Sequence, residues 1–109
     1  MHSRPLTLNQ KLVLRELLRL SVENGFGCLY DLQPIAEKLK ITEPLYDGNT
    51  ETGILWDFGP RGSGMIFVHG HQWPETSAGI SYDFHMMIEN RCYLRPEERK
   101  EALARGIYA

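Results

Sequence analysis

Apolar residues recur at helical spacing early in the chain, and this pattern predicts a first helix over Leu8–Asn24. Thr7 and Gln10 fit a capping box, in which each side chain satisfies an unpaired amide of the first turn. Gly25 and Gly27 follow, and glycine readily adopts the left-handed conformation in which helices often end. The residues of the apolar stripe are Val13, Leu14, Leu17, Leu18 and Leu20.

A second, shorter helix is predicted over Asp31–Lys40. Asp31 is a favourable N-cap, and Pro34 falls in the first turn, where its missing amide has no intrahelical partner. Pro44 and the turn-forming segment 47–50 then interrupt the chain, so at most one or two helical turns fit before them. The apolar face of this helix consists of Leu32, Ile35, Ala36 and Leu39.

Three later segments alternate between apolar or aromatic residues and other residues, which predicts antiparallel strands with one buried face. These segments are Gly53–Phe58, Met65–His71 and Ile80–Ile88. The glycine-rich stretch Gly59–Gly64 is expected to join the first two strands as a hairpin loop.

The end of the chain predicts a last helix that begins at Pro96 and stops at Gly106. Glu97 and Glu98 complement the amino end of the helix dipole, and Arg105 complements its carboxyl end. Together these elements predict an α+β fold, with two N-terminal helices, an antiparallel sheet of about three strands and a C-terminal helix. A chain of 109 residues is expected to form one domain over 1–109.

The composition is that of an ordinary globular domain, with 42% apolar and 24% charged residues. No apolar run is long enough to predict a membrane span, and the first residues lack the apolar stretch of a secretory signal. We therefore expect a cytoplasmic protein. Cys28 and Cys92 have no CxxC spacing, so free thiols are expected, with a disulfide as the open alternative.

The segment Leu8–Thr42 resembles the opening of a winged helix-turn-helix domain, and Ile35–Leu39 (Ile-Ala-Glu-Lys-Leu) carries the likeness. In that family the alanine allows close packing of the partner helix. The resemblance implies a DNA-binding regulator in which the loop Gly59–Gly64 is the wing. The recognition helix of the family has no counterpart after Thr42, so the expected architecture is a degenerate winged helix.

A stripe of basic residues, with one arginine in the glycine-rich loop, gives the candidate nucleic-acid contacts Lys11, Arg15, Arg19 and Arg61. Residues 1–24 carry four basic and two acidic side chains, whereas residues 25–60 carry two basic and six acidic ones. Because phosphate neutralisation supplies most non-specific DNA affinity, this acidic middle counts against DNA binding by the usual face.

The first alternative is a protein-interaction module, such as an inhibitor, adaptor or accessory subunit, with a homodimer as an open arrangement. Its candidate contact residues are Trp73 in a loop and Leu103 and Tyr108 near the C-terminus. Exposed Trp and Tyr side chains are typical of binding hot spots.

The second alternative is a metal-binding protein or a metal-dependent enzyme, with a metal site formed by His69, His71 and His85. On a strand, His69 and His71 would point to one face about 7 Å apart. If the third predicted strand pairs with the second, His85 and Asp83 would lie near them, and such a set suits zinc or a non-haem metal. No nucleophile or phosphate-loop signature is present, so we expect a non-enzymatic binding protein without a cofactor.

Overall fold

Helices flank a small antiparallel sheet in residues 5–107, which are the residues that the computed structural model describes. This arrangement confirms the predicted α+β class with a three-stranded antiparallel sheet. In chain order the elements are α1 (Leu8–Asn24), β1 (Tyr30–Asp31), α2 (Leu32–Leu39), a first 3-10 turn (Trp56–Phe58), β2 (Ile66–His69), β3 (Ser77–Ile80), a second 3-10 turn (Tyr82–Phe84), α3 (His85–Arg91) and α4 (Pro96–Ala104).

The first helix has the predicted bounds and the predicted cap. The Thr7 hydroxyl accepts a hydrogen bond from the Gln10 amide at 3.2 Å, and the Gln10 side-chain oxygen accepts one from the Thr7 amide at 2.9 Å. Gly25, with φ 125°, ends the helix. These contacts are all local, which is why the sequence predicts them well.

The second helix also matches its prediction, but Asp31 has a different role. Its carboxylate makes no capping bond and instead accepts a hydrogen bond from the Ser77 hydroxyl at 2.8 Å. The backbone at Tyr30 and Asp31 forms β1, which pairs with β3. Lys40 ends α2 in the left-handed conformation, and no α-helix follows it among the described residues before His85.

The strands run in the order β1-β3-β2, and both pairings are antiparallel. Of the predicted strands, only Met65–His71 contains one, with Ile66 opposite Ile80 and His69 opposite Ser77. The β2–β3 hairpin is closed by residues 70–76, which include the cis peptide bond between Trp73 and Pro74.

The predicted strand Gly53–Phe58 is wrong, because this segment contains the first 3-10 turn. Its buried residues, Leu55 and Phe58, are three apart, which is a helical rather than a strand spacing. The predicted strand Ile80–Ile88 is also wrong. The chain leaves the sheet after Ile80, and the half-buried Phe84 and buried Ile88 are four apart, as suits the helical turn into α3.

The loop Gly59–Gly64 does not join two strands, so the expected wing is not a hairpin. It connects the first 3-10 turn to β2 and is closed by its own backbone bonds. The amides of Gly62 and Gly64 donate to the Gly59 carbonyl at 2.9 and 3.0 Å.

The core lies between α1, α2 and the sheet, and α3 and α4 close it from outside. Its largest fully buried apolar side chains are Leu12, Leu14, Leu17, Leu32, Leu45, Leu55, Met65, Ile66, Ile80 and Ile88. Within residues 5–107, none of the helices combines the length and the apolar character needed to cross a bilayer.

Candidate functional site

The predicted basic stripe of α1 is largely engaged within the protein, and Lys11 shows this most clearly. Only 7% of Lys11 is exposed, and its Nζ lies 2.7 Å from Glu98 Oε1 and 3.1 Å from the Tyr93 carbonyl oxygen. The pair joins the first helix to the last one. A lysine in this position packs the fold together and does not face a ligand.

The other three predicted cations also contact acceptors of the protein. Arg15 donates to the Cys92 carbonyl at 3.1 Å, and Arg61 forms an ion pair with Glu51. Arg19 bonds Glu16 and Glu23 on its own helix, both at 2.8 Å. The Arg19 hydrogen bond, aided by Lys38, outweighs burial and holds the pKa of Glu16 at about 2. The stripe is therefore a mixed-charge network with no unbroken positive surface.

The structure separates the three histidines. His69 and His71 lie at the end of β2 and line one cavity, whereas His85 begins α3 and faces another part of the surface. The predicted convergence required a strand over Ile80–Ile88, and that strand does not exist. Among residues 5–107, no group of three or more His, Cys, Asp or Glu side chains is placed to hold a metal ion.

The predicted partner contacts are scattered. Trp73 is half-buried against the edge of the core. Leu103 is 53% exposed on α4, where it lines a cavity of about 220 Å³ together with Tyr93 and Arg99. Tyr108 lies outside the described residues.

A different apolar surface forms where the end of α1 meets the start of α3. Val22, Tyr82 and Met86 are 68%, 62% and 65% exposed. We call this surface, formed by Val22, Phe26, Tyr82, His85 and Met86, the α1–α3 patch.

Aromatic rings form the centre of the α1–α3 patch. The Phe26 ring packs edge-on against Tyr82, with centroids 5.2 Å apart, and His85 stacks on Tyr82 at 4.4 Å. Nδ1 of His85 also lies 2.5 Å from the Tyr82 carbonyl oxygen. These contacts hold three rings in one arrangement while leaving much of Tyr82 open to solvent.

A cleft of about 600 Å³ runs from this patch along α1, and residues of α2 and α3 also line it. Its apolar walls are Leu12, Leu18, Val22, Leu39 and Ile107. The charged residues that also line the cleft are Arg15, Glu16, Arg19, Glu23, Lys38 and Glu89. The available sequence signal was the spacing of Leu18, Val22 and Phe26, which continues the apolar character of α1 beyond the face that packs on the core.

A second cavity, of about 430 Å³, lies on the loop side of the sheet, and we call it the aromatic cavity. Tyr46 and Trp56 supply its rings, and Arg61, His69 and His71 supply its nitrogen donors. Tyr46 is buried, and burial raises the pKa of its phenol although the nearby Arg61 charge opposes the shift. This cavity brings together one predicted nucleic-acid contact and two predicted metal ligands, in an environment that neither prediction described.

In comparisons with known proteins, no protein-family model, no curated protein and no solved structure matches the chain.

Proposed function

We propose that this chain is a binding protein and that it binds another protein through the α1–α3 patch and the adjoining cleft. The observation that carries the proposal is that three residues, each more than 60% exposed, are linked through His85: Val22 lines the cleft with it, Tyr82 stacks on it and Met86 follows it in α3. Single exposed apolar residues are ordinary on protein surfaces, but contiguous apolar surface marks interaction sites.

The patch has the properties of a protein-binding surface. Tyr82 offers a large ring that its contacts with Phe26 and His85 already hold in place, so little side-chain freedom is lost on binding. Tyrosine is also enriched among residues that dominate binding energy. Met86 adds an adaptable apolar side chain that can fit an irregular partner.

The cleft suggests the form of the partner. Its apolar walls lie between helices and carry charged residues of both signs along the rim, which suits an amphipathic helix laid into a groove. Arg19 on this rim is bonded to two glutamates, and Lys38 to one of them, so the rim offers mixed-charge partners. Both cysteines are free thiols, which suits a partner in a reducing compartment such as the cytoplasm.

Contact with nucleic acid through a winged helix is the competing proposal. Its support is the helix pair α1 and α2, of which α1 has the predicted bounds and α2 is one residue shorter than predicted at each end. The acceptors bonded to Lys11, Arg15 and Arg19 on α1 count against it, because phosphate contacts need available cations.

Site-specific photo-crosslinking tests the proposal. A photoreactive residue in place of Met86 is expected to form a discrete adduct with a second protein in the native cell extract. Val22→Ser, which removes exposed apolar area from the cleft wall shared with His85, should reduce that adduct. Leu29→Ser is the matched control, since Leu29 is 44% exposed but lies outside the cleft, and it should leave the adduct unchanged.

Two other outcomes are informative. An adduct of twice the chain mass would identify the partner as a second copy. No adduct at position 86, combined with salt-sensitive binding to a labelled DNA duplex that Arg15→Glu abolishes, would overturn the proposal in favour of nucleic acid.

A further inference from the structure

The floor of the aromatic cavity is a pair of rings held at a fixed angle. The centroids of Tyr46 and Trp56 are 5.1 Å apart, with 34° between the ring planes. Tyr46 is only 6% exposed, whereas Trp56 is half-buried and leaves part of its ring facing the cavity. A flat ligand can therefore stack on an aromatic surface that exists before the ligand arrives.

Gly59 packs closely against one edge of the Tyr46 ring, and Gly48 lies near the other edge. A Cβ atom at Gly59 would lie 2.9 Å from Cε2 of this ring, so only glycine allows the loop to pack this closely. A Cβ atom at Gly48 would lie 3.9 Å from Cε1 at the opposite edge, which is an ordinary van der Waals distance. The backbone of Gly48 is itself anchored, since its amide donates to the His71 carbonyl at 3.0 Å.

The mouth of the cavity is rich in nitrogen donors. Arg61, His69 and His71 all line it and are all exposed, and the residues of 5–107 that form its walls include no carboxylate. The ion-pair partner of Arg61 is Glu51, and the two side chains are 67% and 57% exposed. A surface pair of this kind contributes little stability, so Arg61 can exchange it for a ligand at small cost.

We propose that the aromatic cavity binds a nucleoside monophosphate, with the base on Trp56 and the phosphate between Arg61, His69 and His71. This site is separate from the α1–α3 patch and goes beyond the proposed protein-binding function. A dianionic phosphate matches three nitrogen-bearing side chains, whereas a single carboxylate would need only the arginine fork. The volume of about 430 Å³ falls in the range of small-ligand pockets and leaves space for a sugar between ring and phosphate.

The loop Gly59–Gly64 contributes Arg61 and does not act as a phosphate loop. Its amides at Gly59, Gly62, Ser63 and Gly64 all donate to backbone carbonyls. We therefore assign phosphate binding in this cavity to side chains, so amino-acid substitutions can test it.

The test is calorimetric titration of the unaltered chain with adenosine monophosphate, and with adenosine as the comparison. We expect saturable binding of the monophosphate and about tenfold weaker binding of adenosine, because the charge-assisted bonds are missing. In a Trp73→Phe background Trp56 is the remaining tryptophan, and its fluorescence should be quenched as the base stacks on it.

Arg61→Gln is expected to weaken monophosphate binding by about tenfold or more. Arg99→Gln is the matched control, because Arg99 is also an exposed arginine beside an aromatic ring, 5.3 Å from the centroid of Tyr93. Equal affinity for adenosine and its monophosphate, equal effects of the two arginine variants, or no saturable binding would each overturn the proposal.

A base with an attached phosphate is present both in a free nucleotide and in each nucleotide of single-stranded DNA or RNA. Titration with a short oligodeoxyadenylate separates these sources. Tighter binding than the monophosphate assigns the cavity to single-stranded nucleic acid, and weaker binding assigns it to the free nucleotide.

Discussion

Replacing Lys11 by methionine removes one partner of a nearly buried ion pair. The side chains of Lys11 and Glu98 are 9% and 10% exposed, and their charged atoms are 2.7 Å apart. Methionine keeps much of the length of lysine and its apolar stem. The substitution therefore leaves the Glu98 carboxylate in place without its nearest cation.

The expected loss of stability can be bounded from the surroundings of Glu98. Removing one partner of a buried pair typically costs about 3–5 kcal/mol. The Arg95 amide still donates to Glu98 Oε1 at 2.9 Å, so we expect the lower end of that range, about 3 kcal/mol. For a domain of this size the loss corresponds to a fall in Tm of about 12 °C.

The pH dependence of this loss provides a stricter test. Burial raises the pKa of Glu98, but the Lys11 hydrogen bond, the Arg95 amide and both charges outweigh it and keep the pKa lowered. In the wild type the pair therefore stabilises the fold at neutral pH and loses this effect as the pH falls below about 4.3. In Lys11→Met only the Arg95 amide and charge oppose burial, so the pKa of Glu98 is higher than in the wild type and acid reduces the destabilisation.

Urea unfolding of both proteins measures the difference in free energy of unfolding. We expect about 3 kcal/mol at pH 7 and a smaller value near pH 4, with the matched surface variant Lys100→Met within about 0.5 kcal/mol of the wild type throughout. A difference below about 1 kcal/mol at pH 7, or one that does not change with pH, would refute the reasoning.

Three further predictions concern other parts of the fold. Cys28 is exposed, whereas Cys92 is buried and burial raises the pKa of its thiol to about 11. A thiol reagent should therefore react rapidly with one cysteine in the folded chain and with two in urea. Two rapidly reacting thiols in the folded state would contradict the burial of Cys92. The Arg19 hydrogen bond lowers the pKa of Glu16 to about 2, so the wild type should lose stability as the pH falls from about 4.3 towards 2. Glu16→Gln should lose about 1 kcal/mol less over that window, and identical acid profiles in circular dichroism would count against the pairing. Gly79→Ala should destabilise the chain by about 2 kcal/mol or more, because the new methyl group would meet the carbonyl of Cys28, and an unchanged Tm would show that β3 has more room there.

Helices α1, α2 and α4 were predictable because their signals are local, whereas α3 was predicted as part of a strand. The capping box of Thr7 and Gln10 and the first-position Pro96 act within one turn, and the structure contains both. The sheet was not predictable at the same level. Alternating aromatic residues in Gly53–Phe58 and Ile80–Ile88 also satisfy a spacing of three or four, and tertiary packing selected that spacing.

The binding surfaces depend on contacts between residues far apart in the chain. Lys11 was expected on an outer basic stripe, but its partner Glu98 is 87 positions away. In the aromatic cavity, the Gly48 amide donates to the His71 carbonyl and so brings the loop that follows Tyr46 next to His71. A contact between two loops leaves no periodic pattern in the sequence. The sequence therefore identified several of these residues as candidates, but it could not predict which of them lie together in the fold.

The two-residue strand β1 has a consequence for the order in which the chain folds. Its contact with β3 spans 46 positions, from Asp31 to Ser77, whereas β2 and β3 are joined by a short connection. Closing a longer loop costs more chain entropy, so we expect the β2–β3 hairpin to form early and β1 to dock afterwards. When β1 pairs with β3, the α1–α2 half of the chain packs onto the hairpin. This two-residue pairing is therefore expected to form late in folding and to join the two halves of the chain.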